Sequence, residues 1–139
     1  MHVQFALDSL KIHISLIGSI MTKQTKHSLA YLRFLNLMEA IRGLPTHPTL
    51  DPVEERLLNL LAASWHAGKQ VSVLEAMGMS KDMSATTAHR RLKTLRSKGM
   101  ISLDNDKIDS RIKYVVPTPI ATEYFSALGK CLDQASQQA

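Results

Sequence analysis

Apolar residues recur at helical spacing over most of this chain, and Gly and Pro mark the places where the period breaks. From Ser28 to Arg42, Leu29, Leu32, Leu35, Met38 and Ile41 stand three apart, with Tyr31, Phe34 and Leu37 beside them. That spacing predicts a helix with a wide apolar face, closed by Gly43 and Pro45. A face so broad suits two partners, a core and another subunit. "LPTHPTL" reads as a stiff connector. "LDPVEERLLNLLAASWHAG" then opens a second helix, with Asp51 as N-cap, Pro52 at the first helical position and Glu54 completing a capping box. Leu57, Leu58, Leu60, Leu61 and Trp65 supply its buried side, and Gly68 ends it. A short helix over residues 72–77 and the turn "GMSKDM" follow, and Ser84 caps the next helix.

That helix lies in "SATTAHRRLKTLRSKGMI", which holds five basic residues and no acidic one. At about 100° per residue, Ala85, Ala88, Leu92 and Leu95 fall within about 80° of one another and predict the stripe that packs on the core. Opposite lie Thr86, Arg90, Lys93 and Ser97, flanked by Thr87, His89 and Thr94, while Arg91 and Arg96 project from the sides. Surface helices usually interleave both signs of charge. Here short hydroxyl side chains come first and cations begin a turn later. That order suits a helix whose start enters a DNA major groove. Ser84, Thr86, Thr87, His89, Arg90, Arg91, Lys93, Thr94 and Ser97 are therefore the candidate DNA contacts on it.

Gly99 ends the helix, and a strand begins over Met100–Leu103. "DNDKIDSR" is a polar turn, "IKYVVP" is β-rich, and the two strands predict a hairpin. Thr118 and Pro119 open a terminal helix with a stripe of Ile120, Tyr124, Ala127, Leu128 and Cys131 or Leu132, running into a polar tail. The first twenty residues are ambiguous. Ile12, Ile14 and Leu16 alternate like a strand, while Phe5, Ala6, Leu10 and Ile17 fit one side of a helix. Two readings stand: Met21 as the biological start with an upstream extension before it, or a short N-terminal helix that adds to an interface.

Charge sharpens the picture. The formal net charge is +5, and all of the excess lies between Lys81 and Lys113, where nine Lys/Arg face four Asp. A localised basic patch is the electrostatic footprint of a polyanion binder. The lone Cys131 allows no intrachain disulfide and fits a reducing interior. The start does not read as a signal peptide, and the run 12–21 is too short to span a bilayer, so a cytoplasmic protein without membrane contact is expected. The six His, at 2, 13, 27, 47, 66 and 89, include no i,i+4 pair and predict no metal site. "DNDKID" has the wrong residues for a calcium loop. No phosphate-cradling Gly loop or nucleophile elbow is present, so neither an enzyme nor a cofactor is expected.

Helix, helix, short helix, turn, basic helix, hairpin is the order of a winged helix-turn-helix. The sequence resembles the MarR family of bacterial transcription regulators over about residues 28–125. "TTAHRRLKTLRSKGMI" looks like the family's recognition helix. "DSRIKYVVPTPIA" is similar to its wing signature, matched directly by Asp109, Arg111 and Thr118, with Pro117 where Leu is usual and Ala121 where Gly is usual. The resemblance implies a homodimer that places two recognition helices in successive major grooves, with Arg111 reaching the minor groove and Asp109 supporting it. A small-molecule effector has no support in these residues. The family ends with two long helices, whereas here only 22 residues follow Pro117, enough for one.

The expected fold is therefore mainly α with a small β-hairpin wing, a winged helix-turn-helix with flanking N- and C-terminal helices. Residues 1–20 are an extension, 21–50 an N-terminal helix and connector, 51–117 the DNA-binding domain and 118–139 a C-terminal helix, the two flanking helices serving dimerisation. The expected function is a double-stranded DNA-binding transcription regulator. Two alternatives stay open: a winged helix for plasmid or mobile-element replication, partition or transfer, and one used for protein contacts.

Overall fold

The computed structural model describes residue 4, residues 6–12 and residues 25–137. Ala40–Gly129 forms one compact unit, and the flanking segments, up to Glu39 and from Lys130 onward, form a second.

In the flanking unit, residues 6–12 lie in a first helix, α1, so the helical alternative holds for that stretch. Phe5 and Ile17 of the helical alternative, the Ile14–Leu16 part of the strand alternative, and Met21 lie outside the described residues. Helix α2, Lys26–Arg42, carries the wide apolar face but buries none of its residues. Leu29, Tyr31, Leu32 and Leu35 are all exposed. Arg33 reaches from α2 to the last turns of the terminal helix, donating from Nε and Nη2 to the carbonyl of Ala135 at 3.2 and 3.0 Å.

The larger unit is built on α3, Pro52–His66. Its start is the one its sequence dictates. Asp51 Oδ1 accepts from the Glu54 N–H at 2.7 Å, and Glu54 Oε1 accepts from the Asp51 N–H at 2.9 Å, so two donors at the helix end are satisfied reciprocally. Leu57, Leu58 and Leu61 are fully buried. The helix ends in a turn where Gly68 takes φ +78°, the left-handed conformation that spares glycine the Cβ clash.

After α3 the structure adds an element that was not expected. Val71–Ser72 form a short strand, β1, before helix α4, Val73–Met77, which Ser72 caps. Helix α5 spans Ala85–Ser97 and is capped by Ser84, whose side chain accepts from the Thr87 N–H. Strands β2, Ile101–Asn105, and β3, Lys113–Pro117, make the hairpin, and β1 pairs with the far edge of β3. The sheet is thus three-stranded and antiparallel, in the order β1-β3-β2, not the two-stranded hairpin expected. Val71 lies opposite Val115, and both are buried in the core. A two-residue strand has too few positions to show an alternating pattern, which is why sequence periodicity passes over it.

Helix α6, Pro119–Gln137, is capped by Thr118, whose Oγ1 accepts from the Ala121 N–H at 3.2 Å and donates to the carbonyl of Gly99. Its buried positions are Ala121, Tyr124, Cys131 and Ala135. The expected stripe is out of phase at its start, since Ile120 is exposed and Ala121 takes the inner position. The cause is local. Ile120 lies over Gly99, where an added Cβ would come within 3.2 Å of its Cδ1, and the cap geometry of Thr118 turns the small Ala121 inward.

Candidate nucleic-acid interface

Helix α5 sorts its residues into three sides. Ala88, Leu92 and Leu95 are buried. Ala85, expected in that stripe, opens the helix and is exposed; contact with the core begins one turn later, at Ala88. Ser84, Thr86, Arg90, Lys93, Arg96 and Ser97 are exposed, and Thr87 and His89 are half-buried beside them. The Thr87 hydroxyl accepts from Ser84 Oγ at 2.9 Å, so the two first-turn hydroxyls are linked to each other.

The third side is occupied by internal bonds. Arg91 Nη1 pairs with Asp51 Oδ2 at 2.9 Å, and its Nε is buried. Lys98, just past the end of α5, donates from Nζ to Glu54 Oε1 at 2.6 Å and to the Thr49 carbonyl at 2.7 Å. The Thr94 hydroxyl donates to the Arg91 carbonyl. Arg91 and Thr94, both expected to touch DNA, are thus turned toward the start of α3. The cations exposed on α5 are Arg90, Lys93 and Arg96.

Glu54 is only 1 % exposed. Burial pushes its carboxyl up, but the Asp51 N–H, the Lys98 ammonium and the Thr94 hydroxyl outweigh that and hold it below the usual carboxylate range. A linear count of charge between residues 81 and 113 overlooks these carboxylates, which come from another helix.

The wing is organised by its own acids. Asp106 Oδ2 accepts from the N–H groups of Ile108 and Asp109 at 3.0 and 2.9 Å, and Tyr114 donates its hydroxyl to Asp106 Oδ1 at 2.9 Å. The two backbone bonds, then the Tyr114 hydroxyl, lower the Asp106 carboxyl, and the bond to that carboxylate pushes the Tyr114 hydroxyl up. Asp109 accepts from Arg111 Nε and Nη2, both at 3.0 Å, and from the Arg111 N–H at 3.1 Å. The Arg111 side chain remains 89 % exposed. It stands two residues before β3 begins, slightly earlier than expected. An open groove of about 900 Å³ runs between α4, α5 and the wing, lined by Leu74, Met77, His89, Leu103, Arg111 and Ile112 among others.

On the other side of the wing, Trp65 donates its indole N–H to the Val115 carbonyl at 2.9 Å, and His66 is exposed. Among the described residues no three His, Cys, Asp or Glu side chains cluster to hold a metal ion. Among them, too, no helix is long and apolar enough to cross a membrane.

Solved structures share this fold. MepR from Staphylococcus aureus, solved as a point mutant, aligns with a TM-score of 0.54 at 16% identity, covering 88% of this chain and 78% of its own. A transcriptional regulator from Thermotoga maritima aligns with 0.52 at 12% identity, covering 89% and 75%. MarR from Staphylococcus aureus, in complex with salicylate and kanamycin, aligns with 0.51 at 18% identity, covering 96% and 77%. The fold is a MarR-type winged helix. Within this winged helix, α4 and α5 are the helix-turn-helix pair and the β2–β3 hairpin is the wing. No family model and no curated protein matches the sequence.

The sequence alone assigns no role to Lys98 or Asp106 and places Glu54 only in the cap of α3. Lys98 and Glu54 hold α5 to α3, and Asp106 builds the wing turn. Signals for them existed. Arg91 and Lys98 fall within about 20° of one another on the helix. Asp106 begins an Asp-x-x-Asp stretch whose first side chain can bond backbone N–H groups two and three residues on.

Proposed function

We propose that this chain is a transcription regulator that binds duplex DNA selectively, with α5 in the major groove and the wing, Asp104–Arg111, beside the minor groove. One observation carries the reading: the exposed side of α5 presents Ser84, Thr86, Arg90, Lys93 and Ser97 while the carboxylates of Asp51, Glu54, Asp106 and Asp109 are engaged in hydrogen bonds and ion pairs elsewhere. Hydroxyls at the start and cations further along match what a helix needs to meet base edges and then phosphates. Thr87 and His89 border that side. The transcriptional regulators that share the fold support the same reading.

The working unit we infer is a homodimer held by α2 and the end of α6. The support is α2 itself, a 17-residue helix whose apolar residues are all left at least partly open. A two-fold pair would set half-sites about 10 bp apart or a multiple of that. Selection of bound sites from random duplex DNA tests both statements. An enriched motif with two-fold symmetry is the expected result. No enrichment, together with no mobility shift at low salt, would remove DNA binding, and an asymmetric motif would remove the dimer alone.

A further inference from the structure

The capping box of α3 is joined to α5 at two points seven residues apart, Asp51 to Arg91 and Glu54 to Lys98. On a helix that spacing is about 10 Å along the axis. Each carboxylate does two jobs. Asp51 uses Oδ1 to cap α3 and Oδ2 to hold Arg91. Glu54 Oε1 accepts from both the Asp51 N–H and Lys98 Nζ. The Thr49 carbonyl closes the ring around Lys98 from the connector before α3.

We propose that this double clamp is the positioning device of α5: the start of α3 sets the roll and the axial position of the helix that reads DNA. The inference rests on the DNA-binding reading above. Ala88, Leu92 and Leu95 seat α5 on the core, and the two polar links add directional restraints at its flank. Glu54 is buried, whereas Asp51, Arg91 and Lys98 are each about a third exposed, so the pairs give little net stability and the role assigned to them is directional. Two such links on one flank stop both rotation and sliding. They also withdraw Arg91 and Lys98 from the pool of cations that could meet phosphate.

The two roles of a cation, positioning and phosphate contact, leave different marks on salt dependence. A lost phosphate contact lowers the log–log salt slope by about one. A misplaced helix weakens binding without removing a contact. Affinity for a selected duplex is to be measured over a range of salt for Lys98→Met, Glu54→Gln and the double variant, with Lys93→Ala as the phosphate comparison. Each single change should weaken binding, leave the salt slope unchanged and narrow the gap between selected and scrambled sites. The double variant should bind no more weakly than the weaker single variant. If Glu54→Gln does not fold, as judged by its far-ultraviolet circular dichroism, Arg91→Met carries the same expectation, since Asp51 still caps α3 through Oδ1. A slope that falls by about one in Lys98→Met, with Glu54→Gln unaffected, makes Lys98 a phosphate contact and overturns the proposal. Unchanged affinity in all variants overturns it as well. Wild-type protein that binds no duplex at low salt overturns the DNA-binding reading itself, and this inference with it.

Discussion

Arg111 folds back on Asp109, with Nε on Oδ1 and Nη2 on Oδ2, both at 3.0 Å, while its side chain stays 89 % exposed. A guanidinium held by two parallel bonds has its plane fixed without being buried. Its outer edge is still available to a partner. That pair keeps Asp109 below the usual carboxylate range, so it stays ionised across the neutral range.

Arg111→Ala should cost more affinity on sites with A·T-rich flanks than on G·C-rich flanks, because a narrow minor groove concentrates negative potential. Thermal stability should hardly change, since an exposed pair of this kind contributes little. Titrations against two duplexes that differ only in the flanks check it, and equal losses on both would confine recognition to α5.

Arg90→Ala and Lys93→Ala should each weaken duplex binding. A residue that meets only phosphate should lower the salt slope by about one and leave sequence preference intact. A residue that reads a base edge should instead lose about 1–3 kcal/mol of discrimination at one position of the site. Binding curves across salt, on matched and mismatched duplexes, separate the two.

The dimer should be broken from α2. Replacing Leu32 with Asp places a charge on an apolar side that the chain itself leaves open. Sedimentation at micromolar concentration should show a two-chain mass for the wild type and a one-chain mass for Leu32→Asp, with the far-ultraviolet spectrum retained.

The two turn glycines should respond differently to alanine. Gly68 and Gly99 both have φ +78°, which costs a residue with a Cβ about 1 kcal/mol. At Gly68 nothing lies within 4 Å of an added Cβ, whereas at Gly99 Ile120 Cδ1 lies at 3.2 Å. Gly99→Ala should therefore be the more destabilising in urea unfolding. Adding Ile120→Val should recover part of the difference.

Acid should unfold the larger unit partly through Glu54. Its folded carboxyl lies below its ordinary value. The stability it contributes is therefore fully present above the unfolded carboxylate value and is lost as pH falls through the lowered folded one. Urea midpoints between neutral and strongly acidic pH should fall less steeply in Glu54→Gln than in wild type.

How far the sequence announces all this depends on the range of each signal. Asp51, Pro52 and Glu54 are three residues apart at most, and the cap they form is the one their spacing predicts. Ser84 and Gly99 bound α5 for the same local reason. The exposed set Thr86, Arg90, Lys93 and Ser97 follows from helical phase alone. What the phase could not show is where Arg91 and Lys98 find their partners. Those carboxylates are 40 and 44 positions earlier in the chain. Strand β1 was hidden likewise, because Val71 and Ser72 are a strand only through their pairing with Val115 and Tyr114.

The division of α5 into a bonded flank and an open side has an evolutionary consequence. Thr86, Arg90, Lys93 and Ser97 contribute nothing to the buried cluster, and the links that orient the helix run through other residues. Replacements at these four positions can thus accumulate at almost no cost to folding. Descendants of this chain can acquire new target sites one substitution at a time while inheriting the same scaffold, and their divergence should be fastest on the side that faces outward.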